Sequence, residues 1–250
     1  MHEQRRYAST IDIACDQARE YSRRAPRLHL MRSRLRRPNV RAFFVGMYGS
    51  RRKAIVALKE ELRRLALTDD VMRAVCQYCG FPSPSTLDHF LEKARFPELS
   101  LYRRNLVPCC WECNHRRRAS FDASGERQLL HFYEDDVNSM PEVLTASVGI
   151  PAVSGVPVVT YSVGSSAHPL QRVYTNHFRL LNLAERYRVQ AAVDLRSIKQ
   201  RSRSVSQNKL VSILREEAAA RAKIYGPNDY LAALCRALAA SPPALSWLVR

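Results

Sequence analysis

Five of the seven cysteines fall within residues 76–113, namely Cys76, Cys79, Cys109, Cys110 and Cys113. Cys76-x2-Cys79 and Cys110-x2-Cys113 make two CxxC knuckles with residues 80–109 between them. Two such knuckles present four soft thiolates to one tetrahedral Zn²⁺. A closed four-thiolate site leaves no position for substrate, so this zinc is expected to be structural. Gly80 follows the first knuckle, where a tight turn needs it. Cys109 adjoins Cys110 and competes with it in principle. The CxxC spacing favours Cys110, which leaves Cys109 as a buried strand residue. Cys15 and Cys235 stand apart and read as core cysteines.

Between the knuckles lies Leu87-Asp88-His89-Phe90-Leu91, followed by Asn105 and, just after the second knuckle, Asn114. Asp88 and His89 are neighbours on an expected strand, so their side chains point to opposite sides. One can hold a metal while the other addresses a water. A histidine suits the role of general base. Asp88 and Asn114 offer hard oxygen ligands of the kind Mg²⁺ or Mn²⁺ takes. Together they match what phosphodiester hydrolysis demands, a base for water and positive charge at the leaving oxygen. An isolated Asp-His pair is usually surface decoration. Its weight here comes from the zinc frame around it.

The whole run, Cys-x2-Cys … Asp-His … Asn-Leu-Val-Pro-Cys-Cys-x2-Cys-Asn over residues 76–118, resembles the HNH endonuclease family. It is closest to the subgroup with a treble-clef-like zinc staple and Asn at the third motif position. Outside this run, only His131-Phe132-Tyr133 and the 177–181 stretch resemble standalone members. The resemblance implies a ββα-metal unit, with a strand–loop–strand from about Thr86 to Pro108 and a helix from about Trp111 to Phe121. It implies His89 as general base, Asp88 and Asn114 as ligands of a single catalytic Mg²⁺ or Mn²⁺, and Asn105 as the brace that orients His89. Arg116, Arg117 and Arg118 would then lie on the helix that faces the nucleic-acid backbone, with Lys93, Arg95, Arg103 and Arg104 on the loop beside it. Glu92 stands where family members often carry Pro, and adds a carboxylate near the site. The implied activity is metal-dependent hydrolysis of DNA, double-stranded by expectation, in a setting of prokaryotic defence against foreign DNA. Two other readings share the same residues: a non-catalytic zinc-dependent nucleic-acid binder and an RNA-directed nuclease toxin.

The elements that must position these residues are mostly helical. The expected fold class is α+β, a largely helical chain around the small zinc-stapled module. Residues 1–75 read as a basic helical region, 76–121 as the nuclease module, and 122–250 as a mainly helical region with a short β excursion at 143–163. Ile55, Leu58, Leu62 and Leu65 share one face of an amphipathic helix. Tyr187, Ala191, Leu195 and Ile198 mark a second. Leu210, Leu214, Ala218 and Arg221 mark a third, closed by Gly226-Pro227. Leu231, Leu234, Cys235 and Leu238 mark a fourth that ends near Pro242-Pro243. Residues 201–206 read as a mobile basic loop.

Charge points to a polyanion. Lys plus Arg number 40 against 23 Asp plus Glu, a net charge of +17. From Arg23 to Arg41 there are arginines and no acid. Arg32, Arg34 and Arg36 in that stretch are candidates for a second DNA contact beside the module. The C-terminal helices are candidates for homodimer formation or for docking a partner protein. No run of 18 apolar residues appears and the first residues hold no apolar core, so a cytoplasmic protein without membrane contact is expected.

Overall fold

A computed structural model describes residues 2–65, 75–82, 84–117 and 119–250. The fold is mixed α+β and divides into two compact units, 1–135 and 136–250. Residues 1–75 and 76–121, read as separate stretches from sequence, thus share one unit. Among the described residues no single helix is long and apolar enough to cross a membrane.

The first unit opens with helices α1 (His2–Arg23), α2 (Pro38–Gly49) and α3 (Lys53–Leu65). Pro38 starts α2 at a position where a missing N–H costs nothing. Strands β1 (Thr86–His89) and β2 (Leu106–Cys109) pair antiparallel, with Asp88 opposite Val107 and His89 opposite Leu106. Leu62 of α3 packs with Leu87 and Leu106 of the hairpin, flanked by Tyr48 and Leu58. The apolar face read on 55–62 is therefore the face that carries the hairpin. Cys15 is exposed, not a core residue. Helical spacing explains it: Gln17 and Tyr21, four apart, form the buried face of α1, and Cys15 lies round the helix from them.

The arginine-rich connection after α1 is tied to the loop between β1 and β2. Glu98 on that loop is buried and accepts hydrogen bonds from Ser33 Oγ (2.9 Å) and the Arg34 backbone N–H (3.0 Å). Arg41 adds bonds from α2 to the Leu35 and Ala94 carbonyls, at 3.0 and 2.8 Å. Glu98→Ala strands two donors and empties a buried site. It is expected to cost about 2 kcal/mol, read as a lower urea midpoint with unchanged metal content.

His131 is wholly buried between Tyr21 and Phe90. Its Nδ1 accepts from the Tyr133 backbone N–H (3.2 Å), so Nε2 carries the proton and donates to Tyr21 Oη (2.6 Å). Burial, with Arg127 and Arg104 nearby, pushes its pKa down to about 3. Between the unfolded value near 6.5 and that depressed value the unfolded chain binds the extra proton. Stability should therefore fall on acidification across this window, by about 1.4 kcal/mol per pH unit from this group alone. Urea unfolding of His131→Gln at pH 6.5 and below should show a shallower pH dependence than wild type. Parallel slopes would contradict the assignment.

After β2 comes α4 (Trp111–Arg116), shorter than expected. Arg117 leaves the helix at ψ 141°, because its side chain turns back onto the hairpin. Arg116 is thus the last helical residue, where a helix to about Phe121 is expected from the sequence.

The second unit builds a hairpin, β3 (Leu144–Gly149) and β4 (Val158–Val163), in register from Leu144–Val163 to Gly149–Val158. The excursion at 143–163 is therefore two strands. Helices α5 (Gln171–Leu180), α6 (Leu183–Ser202), α7 (Gln207–Tyr225), α8 (Tyr230–Ala239) and α9 (Pro242–Val249) follow. β3 packs on α8 and β4 on α6. Two sequence expectations are corrected here. α6 continues through Ser202, which is buried and bonds the Ile198 carbonyl (2.8 Å), so only residues 203–206 remain as a connection. Pro242 begins α9 as its N-terminal residue after the Ser241 cap, instead of simply ending α8.

Candidate active site

The zinc knuckles meet between the hairpin and α4. Gly80, at φ +73°, closes the first knuckle through its N–H to the Cys76 carbonyl (2.8 Å). Cys110 caps α4, its sulfur accepting from the Cys113 N–H (3.4 Å). The sulfur atoms of Cys76, Cys79, Cys110 and Cys113 all lie within 4.8 Å of one another, and Cys79 and Cys110 are 3.9 Å apart. A tetrahedron with Zn–S bonds near 2.3 Å has sulfur–sulfur edges of about 3.8 Å. The quartet therefore fits one zinc ion by both geometry and donor chemistry. Hydrogen bonds from its neighbours hold the Cys110 thiol far below its ordinary range, while the same sharing pushes Cys113 up. Cys109 is outside the quartet, buried in β2, with its pKa raised by burial.

One cleft of about 720 Å³ lies beside this staple. Asp88, His89 and Asn114 line it together with Glu92, Lys93 and Arg117. The sequence-derived trio thus lines one cleft, positioned by β1 and α4.

His89 is 7% exposed. Its Nε2 lies 3.0 Å from the Ser100 carbonyl, which can only accept, so Nε2 carries the proton. Nδ1 is left with the lone pair. The Tyr48 ring meets the imidazole edge-on, with centroids 4.4 Å apart. Burial, with added repulsion from Lys93, Arg117 and Lys59, pushes the His89 pKa down to about 4. The ring is therefore neutral near pH 7, the state a base requires.

Asn105 is fully buried and does not touch the His89 ring directly. Its Oδ1 accepts from the Leu91 N–H (2.7 Å), and its Nδ2 donates to the Leu91 and Leu99 carbonyls (3.0 and 3.2 Å). These bonds fix both ends of the loop whose Ser100 carbonyl holds His89. Ser100 is itself held from the other side, its Oγ donating to the Phe44 carbonyl of α2 (2.8 Å).

Asp88 Oδ2 accepts from Tyr78 Oη and pairs with Arg117 Nε, each at 2.8 Å. Burial pushes its carboxyl upward, against the pull of Arg117 and Tyr78. Asn114 Nδ2 donates to Thr86 Oγ1 (3.1 Å), and its Oδ1 is the polar atom that remains. A buried carboxylate and an amide oxygen lining one cleft suit a hard divalent cation that keeps several waters.

The basic candidates separate. Arg117 is 6% exposed, and its guanidinium is committed to Asp88, the His89 carbonyl (2.6 Å) and Ser120 Oγ (2.8 Å). Arg116 is exposed and pairs with Glu112 (2.8 Å). Arg118 lies outside the described residues. Lys93 lines the cleft, whereas Arg32, Arg34 and Arg36 are exposed and do not line it, with Arg34 paired to Glu20 (2.6 Å). Tyr48, Lys59 and Arg63 also line the cleft. They lie upstream of the motif, and nothing in their spacing marks them out.

The family model for HNH endonuclease matches residues 76–120. Protein ea31 of Escherichia phage lambda is 32% identical over 148 residues, covering 56% of this chain and 47% of that protein. The chain therefore spans about half the length of that curated relative. No solved structure matches significantly. By its motif, its four-cysteine cluster and the family match, residues 76–120 are identified as an HNH endonuclease domain.

Proposed function

We propose that the protein is an endonuclease that hydrolyses phosphodiester bonds in double-stranded DNA, with His89 as general base. The observation that carries this reading is the clamp on His89. A carbonyl fixes its Nε2–H, so the lone pair of Nδ1 is free to take a proton from water. As the proton arrives, the Ser100 carbonyl stabilises the imidazolium through the same hydrogen bond. Asn105 acts as a positioning residue, holding the loop that carries this carbonyl. An anionic phosphodiester in the cleft would raise the histidine pKa back toward neutrality, strengthening the base where it is used.

Asp88 and Asn114 would hold a divalent cation, Mg²⁺ or Mn²⁺. When bound, that cation supplies positive charge to the phosphate and to the leaving oxygen. The cysteine quartet would hold the structural zinc. Exposed arginines at 32, 34, 36 and 116 would add sequence-independent attraction to the backbone.

Plasmid nicking with Mg²⁺ or Mn²⁺ tests the reading. Cleavage by wild type that disappears in EDTA supports it. A zinc-loaded wild type that binds duplex DNA without cutting it, with either ion, would favour a binding module instead. Parallel assays on RNA of matched length decide between DNA and RNA as substrate.

A further inference from the structure

The cleft holds more positive charge than the HNH motif supplies. Lys59 and Arg63 reach it from α3, and Lys93 reaches it from the loop after β1. Two of them gather at Tyr48, Lys59 Nζ 4.0 Å and Lys93 Nζ 4.9 Å from the ring centroid, and Arg63 lines the cleft with them, near enough for its charge to act on the Tyr48 hydroxyl. Arg63 Nε is buried with no hydrogen-bond partner among the described residues. Among the described residues none of the three forms an ion pair, and Lys59 Nζ donates only to the Tyr48 carbonyl, although most buried or half-buried cations acquire an anionic partner. Asp88 lines the same cleft but is taken by Arg117. Burial and the nearness of Arg63 and Lys93 lower the Lys59 pKa, as expected for like charges held close; Glu92 is the other carboxylate lining the cleft, and it forms no ion pair with the three among the described residues. The Tyr48 ring that collects them also packs on His89, so the cluster sits directly beside the base.

We propose that Lys59, Arg63 and Lys93, assembled around Tyr48, form a phosphate-binding subsite that seats the nucleic-acid backbone next to the bond being cut. The subsite rests on the nuclease reading for its position along the substrate, though not for its chemistry. An oxyanion suits it, because two ammonium groups supply point charges and the Arg63 fork supplies the orphaned donor. The N-terminal helices then do more than support the hairpin. α2 places the ring that orders the cations and the base, and α3 places two of the three cations.

The test is binding of a 20-bp duplex by zinc-loaded protein, without added Mg²⁺ or Mn²⁺, across a salt series, beside nicking assays with metal. Lys59→Met and Arg63→Met keep the packed stems and remove the charges. Each is expected to reduce the salt slope by about 0.9 and the affinity by about eightfold at 0.1 M salt. Nicking by these variants should show a raised KM with kcat largely kept. Lys93→Gln, on a half-exposed turn, gives the same readout should the helix variants fail to fold. Folded, zinc-loaded variants with unchanged slope and affinity would overturn the subsite, even if wild type cuts DNA. Wild type that binds with the expected slope changes yet never cuts would keep the subsite and remove the nuclease reading.

Discussion

His89→Ala is expected to lower the nicking rate by about 10²- to 10⁴-fold, the usual worth of a positioned general base. The geometry makes this a sharp expectation. Nε2 is spent on the Ser100 carbonyl, so the imidazole can serve the cleft only through Nδ1. Among the described residues no other histidine lines that cleft. Glu92 does line it, and a carboxylate is the remaining group there able to accept a proton from water. If Glu92 were the base, His89→Ala would leave most of the rate and Glu92→Gln would remove it. The alanine variant also loses a ring packed on Tyr48 and leaves the Ser100 carbonyl unpaired, a cost of about 1–3 kcal/mol. Zinc content and a thermal melt must therefore accompany the rate. A folded, zinc-loaded His89→Ala with wild-type nicking would end the assignment of His89 as base.

What the sequence made legible follows from how local each signal is. The cysteine knuckles and the Asp88–His89 pair are short-range patterns with fixed spacing; the four knuckle sulfurs come together in space, and Asp88 and His89 line one cleft. The apolar faces of α3, α6, α7 and α8 are periodic: the α6 set is buried throughout, and in the others most marked residues are, with Leu58, Arg221 and Leu231 only partly so. The errors fall where a long-range contact overrides a local pattern. Arginines at 116–118 look like a helix face until Arg117 finds a buried carboxylate on β1 and leaves the helix to reach it. Residues 201–206 look like a loop until Ser202 is buried and bonded within α6. Cys15 looks like core because cysteine is usually buried, yet its helix turns a different face inward. Tyr48, Lys59 and Arg63 were illegible for the same reason. Their chemistry arises only when α2 and α3 fold against the hairpin, and one lysine or arginine among the chain's 40 carries no local mark.

Removing the zinc is expected to unfold the site as a whole. Structural zinc binds with an apparent free energy of about 10–16 kcal/mol in small modules at neutral pH. That matches or exceeds the entire stability of a typical domain, about 5–15 kcal/mol. The strands here are only four residues each, and α4 has six, so the hairpin and helix have little else to hold them in register. A strong chelator, or Cys113→Ser, should abolish nicking and remove hydrogen-exchange protection from residues 86–89 and 106–109. Protection in 144–149 and 158–163 should persist, because those strands belong to the other unit. Cys109→Ser separates the two adjacent cysteines. It places a hydroxyl in a fully buried position and should cost stability, yet metal analysis should still give one zinc per chain. Cys110→Ser should lose that ion. The opposite pattern, zinc retained in Cys110→Ser and lost in Cys109→Ser, would mean that the knuckle closes one residue earlier. Because Cys110 also caps α4, Asn114 would then no longer be held in the first turn that aims it at the cleft beside Asp88.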